Sequence, residues 1–388
     1  MARIGIDVRC LAEGRRTGVE EYTRNLLQNI FTLDTRDEFI LFFNSFRSAK
    51  ADFAWVEKYP NVTLKKFNWP NKLLNFLFWY LSWPKIDQLI GGADIIFMPN
   101  IIFGSMSRKT KLISTIHDLS FERYPETFSW VRRFWHMFIN PKKICQRSDK
   151  IIAISNSTKR DIVNLYKINP DKISVSYNGI SEKFKIVDRN NENLIRVKEK
   201  YKLPYKFILY LGTIEPRKNI SAIIQAYAQL QKDAAEAGQA EMAKYKLVIA
   251  GSQGWLSKKI FAEIEQSDCK NDIVLVKFVE EDDKEFVLNL ASLFVYPSKF
   301  EGFGFPPLEA MACGVPTIIS NNSSLPEIAG LGAIMIDPDR PDEILHAMQE
   351  ILSSTQLREK LIIRGLAQAK KFTWTKPAED FLKLINKI

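Results

Sequence analysis

Only four cysteines occur in 388 residues: Cys10, Cys145, Cys269 and Cys313. None forms a CxxC pair, and none has zinc-ligand spacing to one of the three histidines. That argues against a disulfide scaffold or a zinc module and reads as buried free thiols in a reducing compartment. Glycine and proline number 17 each, too few for a disordered or fibrous chain. No run approaches the roughly 18 consecutive apolar residues of a membrane helix. The best candidate, residues 73–83, is too short and is flanked by Lys72 and Lys85. The N-terminus enters a strand-like run at once, with no apolar stretch of the secretory kind. A cytoplasmic protein is the expectation. Short repeats and low-complexity tracts are also missing.

What remains is a globular composition, 46% hydrophobic and 26% charged. The length exceeds what one hydrophobic core serves, so two domains are expected. The net charge of +10 is unevenly placed. Residues 1–190 carry 30 Lys and Arg against 19 Asp and Glu, a net of +11; the remainder carries 25 against 26, a net of −1. A basic first half points to an anionic partner: nucleic acid, anionic lipid or a phosphate-bearing substrate.

Apolar strand-like runs alternate with segments of helical period along the whole chain. In the first half the runs are 3–8, 39–43, 62–67, 95–98, 112–116, 150–154 and 173–177. In the second they are 207–211, 246–250, 273–278, 293–296, 317–319 and 333–336. Several are unbroken Val/Ile/Leu/Phe stretches, the mark of parallel strands covered on both faces. Val19, Tyr22, Leu26 and Ile30 recur at helical spacing, as do Ile220, Ile223, Ile224, Tyr227 and Leu230. Two doubly wound α/β domains in series follow, with the polar stretch after residue 187 as a linker. Such sheets bind ligands beyond the carboxyl ends of their strands, so the loops after strands hold the candidates.

The first such loop runs Gly14-Arg15-Arg16-Thr17-Gly18. Gly18 opens a helix whose N-terminal amides form a ready anion site; the same residues also suit an ordinary strand-to-helix turn. His117-Asp118 follows a buried-type strand, which no other histidine does, although a lone histidine is often structural. Gly212-Thr213-Ile214-Glu215-Pro216-Arg217-Lys218-Asn219 brings a guanidinium fork and an ammonium point charge together, a pair that brackets a diphosphate or lies solvated. Asn219 is placed to cap the next helix. The most informative stretch is residues 297–316, PSKFEGFGFPPLEAMACGVP. Pro306-Pro307 suits a helix start and Gly314 its stop. Glu301 then lies on a Gly-rich loop and Glu309 in the first helical turn. Backbone amides from Gly302 to Leu308 would face an anion, and the two carboxylates would accept sugar hydroxyls; Glu309 could instead only offset the helix dipole.

Together these loops resemble glycosyltransferase family four, a large family of retaining enzymes. The resemblance rests on two glutamates separated by seven residues, Glu301 and Glu309, with the flanking EGFG and PLEAMACGVP. It extends to Arg217-Lys218-Asn219, Gly18, His117-Asp118 and Tyr177-Asn178-Gly179, and covers nearly the whole chain; residues 45–90 match least. It implies an α/β fold of the GT-B kind, two doubly wound Rossmann-like domains facing across a cleft. The expected division is an acceptor-side domain at 1–187, a linker at 188–204, a nucleotide-sugar domain at 205–372, and a C-terminal helix at 373–388 packing back toward the first domain.

The resemblance also implies roles. Arg217 and Lys218 bind the donor diphosphate and stabilise the departing nucleotide, Glu309 holds the ribose, and Glu301 contacts the transferred sugar. Gly18 approaches the phosphates, His117 the sugar or acceptor end, and the backbone near Phe278 the base. Lys277 stands where this family often has glycine, a departure at the base end. Asp118, Asn178, Gly212, Asn219, Gly302, Phe303, Gly304, Phe305 and Leu308 complete the implied binding set. No cofactor and no metal is expected, because positive side chains can replace Mg²⁺ at a leaving diphosphate. The Asp337-Pro338-Asp339 sequence reads as a turn. The implied partners are a nucleotide-sugar donor, with GDP-mannose as the choice, and a glycan or lipid-linked acceptor of surface-polysaccharide assembly.

Other readings stand beside this one. An epimerase of the same fold would act without an acceptor, and a phosphorylase would need a pyridoxal-binding lysine site that is not identifiable. A nucleic-acid-binding protein would explain the basic half, but no recognised motif supports it, so no nucleic-acid partner is expected. An inactive scaffold is disfavoured because each site position is filled. Finally, Trp130-Val131-Arg132-Arg133-Phe134-Trp135 and Pro141-Lys142-Lys143 mix basic and aromatic residues as an interfacial surface does, or form a core helix with a solvated face. The former places the protein peripherally at the inner face of the plasma membrane.

Overall fold

Unbroken Val, Ile, Leu and Phe runs supply strands to two separate all-parallel sheets. A computed structural model describes residues 1–13, 17–46 and 51–388. The chain divides into two units: Met1–Leu119 with Trp130–Gly179 and Thr373–Ile388, and Ser120–Ser129 with Ile180–Phe372.

The first unit holds β1 (Arg3–Asp7), β2 (Glu38–Asn44), β3 (Val62–Phe67), β4 (Ile95–Met98), β5 (Lys111–Ile116), β6 (Lys150–Ala153) and β7 (Ile173–Val175). Their spatial order is β3-β2-β1-β4-β5-β6-β7. The second holds β8 (Phe207–Leu211), β9 (Lys246–Ala250), β10 (Ile273–Val276), β11 (Leu293–Tyr296), β12 (Thr317–Ser320) and β13 (Ile334–Ile336), in the order β10-β9-β8-β11-β12-β13. Both orders reverse once, between β1 and β4 and between β8 and β11. Each reversal is the switch point at which a doubly wound sheet leaves room for a ligand.

The helical spacings account for the covering layers. Tyr22, Leu26, Leu27, Ile30 and Phe31 are the buried face of helix Gly18–Leu33. In helix Ile220–Glu236 the residues Ile220, Ile223, Ile224, Tyr227 and Leu230 are buried. Helix Thr375–Ile385 belongs to the first unit, where Phe381 packs on Phe97 of β4 with ring centroids 4.6 Å apart. The cysteines are free; Cys145, Cys269 and Cys313 are buried.

Three expectations need correction. The boundary falls after Gly179 rather than after residue 187, and residues 120–129 belong to the second unit. The stretch 188–204 is not a linker. It contains helix Glu192–Lys200, which buries Leu194 and Val197, and its Lys200 bonds Asp283 at 2.6 Å. Two apolar residues three apart suffice to seat a short helix, although the composition is polar. Nor is helix Trp130–Ile139 a core helix: only Ile139 is buried.

Candidate functional site

The second unit gathers its charged side chains at the switch point between β8 and β11. The loop after β8 tightens into a 3₁₀ turn, Pro216–Lys218, that presents Arg217 and Lys218. The loop after β11 carries Glu301. Lys299 N–H donates to the Arg217 carbonyl at 2.9 Å, joining the two loops. Across this junction Lys218 Nζ donates to Glu301 Oε1 and to the Tyr296 hydroxyl, each at 2.6 Å. Arg217 Nη1 lies 3.3 Å from Glu301 Oε2, and its Nη2 bonds Glu215 Oε1 at 2.8 Å. Lys218 and Glu301 are both buried.

Burial alone would raise the Glu301 pKa. The Lys218 and Arg217 charges, with the hydrogen bond from Lys218, overcome it and hold the carboxyl at about 2. Burial and the Arg217 charge push Lys218 below its ordinary value, opposed by Glu301 and Glu215. The cluster therefore holds two cations against two carboxylates with little water to screen them.

Glu301 is fixed from behind by residues after β12. Its N–H donates to Ser323 Oγ at 3.0 Å, while Ser324 Oγ donates to the Glu301 and Phe303 carbonyls at 3.0 and 2.7 Å. Gly302, Phe303 and Gly304 are buried, Phe305 is half-buried, and Gly304 turns the chain into the next helix at φ +114°. A Cβ at Gly304 would lie 2.7 Å from Leu325, so only glycine suits that turn. The helix starts at Phe305 and runs to Ala312. Glu309 is thus its fifth residue, past the first turn, where a dipole role is weak. Pro306 and Pro307 have no N–H, and Leu308 donates to the Gly304 carbonyl. Anion-facing amides are therefore confined to those preceding Pro306, fewer than the sequence suggested.

Glu309 is held by a different cation from those that hold Glu301. It is fully buried, and Oε1 accepts from Lys284 Nζ at 2.8 Å, while Oε2 has no partner among the described residues. Burial raises its pKa, against the Lys284 charge. Asn219 occupies the cap position in the left-handed region at φ 57°, but its side chain makes no cap bond. It donates instead to the Pro338 carbonyl at 2.6 Å, tying the 337–339 turn to the Arg217 loop. Gly212 ends the strand region with its N–H on the Ala250 carbonyl. Phe278 lies in the loop after β10 and is 65% exposed.

The first unit holds the remaining candidates. His117 Nε2 is 2.8 Å from the Pro99 carbonyl. A carbonyl only accepts, so Nε2 carries the proton and Nδ1 is the ring's acceptor. Burial lowers the His117 pKa, leaving a neutral ring, against the Pro99 bond and the Asp118 charge. Asp118 follows it, half-buried. Tyr22, on the helix opened by Gly18, meets the His117 ring edge-on at 4.9 Å. Gly18 is exposed, but Thr17 caps its helix through a capping box with Glu20, so the Glu20 amide is already used. Gly14, Arg15 and Arg16 lie outside the described residues. Asn178 is 1% exposed, and neither side-chain amide atom has a partner among the described residues.

Four positions escaped the sequence reading. Glu215 stood in the Gly212–Asn219 loop, and an acid beside Arg-Lys was a usable signal. Tyr296 and Lys284 gave none, since strand order brings them to their partners. Gly251, at φ +151°, passes so close to β8's loop that a Cβ would fall 1.8 Å from the Gly212 carbonyl oxygen.

Two family models match the chain: Glycosyltransferase Family 4 over residues 16–184, and Glycosyl transferases group 1 over residues 191–368. The serotype-specific mannosyltransferase WbdA of Escherichia coli is 33% identical over 282 residues, 71% of this chain and 34% of WbdA. The chain thus spans about a third of that relative's length. The O-antigen chain mannosyltransferase B of Escherichia coli is 32% identical over 273 residues, 69% of this chain and 68% of that protein. Among solved structures, sucrose-phosphate synthase from Thermosynechococcus elongatus superposes with a TM-score of 0.75 at 17% identity, covering 100% of this chain and 99% of that one. That likeness concerns the fold, two parallel-sheet Rossmann-like domains of the GT-B kind.

Proposed function

The chain belongs to glycosyltransferase family 4, and from that premise we propose that it moves a hexosyl group from a nucleotide sugar to a glycan or lipid-linked acceptor in surface-polysaccharide synthesis. The reaction proceeds with retention of anomeric configuration and without a metal ion. GDP-mannose is the proposed donor, supported by the mannosyltransferases WbdA and mannosyltransferase B among the relatives.

The observation that carries the reading is the pair Arg217–Lys218 held on Glu301 at the switch point of the second sheet. A diphosphate bound there meets a guanidinium fork and an ammonium. An ammonium has three donors; two of Lys218's are engaged by Glu301 and Tyr296, and the third is left for a phosphate oxygen. As the sugar–oxygen bond breaks, negative charge grows on the departing diphosphate, and prearranged cations stabilise it without reorganisation. Glu301, ionised between the two cations, orients them and accepts from sugar hydroxyls. Glu309 Oε2, buried and unmatched, suits a ribose hydroxyl. In the first unit, the neutral His117 and the unmatched Asn178 amide serve the sugar and acceptor side.

A thermal-shift screen against UDP-, GDP-, ADP- and TDP-sugars, with EDTA present, tests this. GDP-mannose should raise the melting temperature undiminished by EDTA. Stabilisation by no nucleotide sugar would overturn the donor class, and a shift that requires added Mg²⁺ would overturn the metal-free reading.

A further inference from the structure

The first unit carries an apolar surface that the proposed sugar transfer does not use. It is built from two segments distant in sequence. The first is helix Asn71–Phe76, which continues as a π-helical turn, Leu77–Leu81. Leu74 and Phe78 point inward and pack with Ile40, Phe42 and Ile86. The opposite face, with Leu73, Phe76, Trp79 and Tyr80, is exposed, Tyr80 by 69%. The second segment is helix Trp130–Ile139. Trp130 is 71% exposed, and Val131, Phe134, Met137 and Phe138 are exposed too. The segments meet where the Trp79 and Phe138 rings stand edge to face, 5.2 Å apart. Soluble proteins rarely leave so many contiguous large apolar side chains in water, and such a patch marks an interaction site.

Charge identifies the partner. No Asp or Glu occurs between Glu57 and Asp87, or between Glu126 and Asp149. Each of these stretches carries five Lys or Arg, among them Lys72 and Lys85 in the first and Arg132, Arg133, Lys142 and Lys143 in the second. A second copy of the chain would bring the same cations against themselves, which is repulsive. Exposed Leu73, Leu81, Val131 and Met137 offer nothing to base stacking, so a nucleic acid would leave them unsatisfied. Tryptophan and tyrosine with a cationic rim suit the boundary between headgroups and acyl chains. Among the described residues no helix is long and apolar enough to cross a membrane.

We propose that residues 72–83 and 130–143 form a two-part surface that docks in plane on an anionic lipid bilayer. Arg9 connects this surface to the sheet. Its guanidinium lies between the Phe42 and Phe78 rings, 5.3 and 5.1 Å from their centroids, and bonds Asp7 and the Phe103 carbonyl. Phe78, at the root of the docking segment, is thereby fixed to the carboxyl end of β1, beside the first sheet's switch point. Docking holds that ligand-receiving end next to the lipid, which suits a lipid-linked acceptor if the proposed function holds; the docking itself does not depend on it.

Flotation of the full chain with vesicles of phosphatidylcholine alone or mixed with phosphatidylglycerol is the test. The chain should float with the mixed vesicles at low salt, release as salt rises, and show a blue-shifted tryptophan emission. Trp79→Ser with Trp130→Ser should weaken flotation by about tenfold or more. Arg132→Glu with Arg133→Glu should remove the preference for phosphatidylglycerol. Both variants should remain folded, checked by thermal melting, since the changed side chains are exposed. Failure to float with mixed vesicles at low salt would overturn the proposal. So would flotation undiminished by the tryptophan substitutions, or a concentration-dependent dimer or single-stranded RNA binding that these substitutions abolish while flotation persists. If nucleotide sugars fail to bind while flotation stands, the donor reading falls and this one does not.

Discussion

Lys218 Nζ donates to Glu301 Oε1 at 2.6 Å, although the two residues are 83 positions apart. One follows β8 and the other follows β11, strands that lie side by side where the order of the second sheet reverses. The fold thus delivers a cation and an anion to the place where such sheets take ligands. Arg217 closes the arrangement on the other carboxylate oxygen.

Lys218 and Arg217 should matter more for turnover than for ground-state binding, because their charge opposes a charge that grows during the reaction. Lys218→Ala or Arg217→Ala should lower kcat by about 100-fold or more, with a smaller change in KM. Steady-state kinetics with the identified donor give the comparison. A rise in KM at unchanged kcat would show that the cations only bind substrate. Because Lys218→Ala also leaves Glu301 short of a partner, Lys218→Ala with Glu301→Gln should recover stability but not turnover.

The same pair sets a pH dependence of stability. The Glu301 pKa is depressed in the folded state to about 2 from an ordinary 4.5. A depressed carboxyl stabilises the fold above its unfolded pKa, and the contribution is lost as pH falls through the folded value. By linkage the full contribution is about 3 kcal/mol, of which somewhat less than half should be gone at pH 3.5. Urea unfolding of wild type and Glu301→Gln between pH 6 and 3.5 should show the steeper loss in wild type. Parallel pH profiles would refute the depressed pKa.

The strands were legible because parallel strands buried on both faces leave unbroken apolar runs. The 95–98, 207–211, 246–250 and 293–296 expectations coincide with such strands; 62–67 coincides too, although it is an edge strand, VTLKKF, with no buried residue. The 273–278 run was too long: β10 stops at Val276, and Phe278 is exposed in the loop. Helix Glu192–Lys200 was hidden because Leu194 and Val197 are its only buried residues amid charge. At the site, Arg217, Lys218 and Glu301 stood out through residue type and loop position. Their partners Tyr296 and Ser323 did not, because strand order rather than spacing places them. Glu309's contact with Lys284 had no counterpart in the sequence either.

Gly251 provides a test of how tightly the loops beside the site are packed. Its backbone is in a region that side chains rarely adopt, φ +151°, and an added Cβ would fall 1.8 Å from the Gly212 carbonyl oxygen. Neither backbone segment can yield easily, since Gly212 N–H is bonded to Ala250 and Gly251 N–H to Val276. Gly251→Ala should destabilise the protein by about 3 kcal/mol or more, seen as a lower urea midpoint. Wild-type stability would mean that this crossing is looser than described.

The anomeric outcome follows from the state of Glu301. A carboxylate held at about 2 is too weak a base to accept a proton near neutral pH and is no acid there. With both oxygens engaged by cations, it is also a poor covalent nucleophile. Departure and attack on one face, with the diphosphate receiving the acceptor's proton, is then the expected route. NMR of the first product should show the donor's anomeric configuration, and mass spectrometry of the working enzyme should show no glycosyl adduct. Inversion would overturn the retaining assignment, and an adduct would overturn the same-face route.

The two glutamates should separate in their response to the nucleotide alone. Glu301 faces the cations and the proposed sugar position, whereas Glu309 is buried against Lys284 with Oε2 unmatched. A nucleoside diphosphate lacks the sugar but keeps the ribose. Glu309→Gln should therefore weaken nucleoside diphosphate binding, by about 10-fold if a hydrogen bond to a charged group is lost. Glutamine keeps the shape of the side chain and an amide oxygen that can still accept from Lys284, so the variant should remain folded. Glu301→Gln should leave nucleoside diphosphate affinity nearly unchanged and lower kcat, because a neutral amide accepts sugar hydroxyls less well than a carboxylate does. Isothermal titration with GDP, followed by turnover measurements, distinguishes the two. Equal loss of GDP affinity in both variants would overturn the division of roles while leaving the family assignment in place.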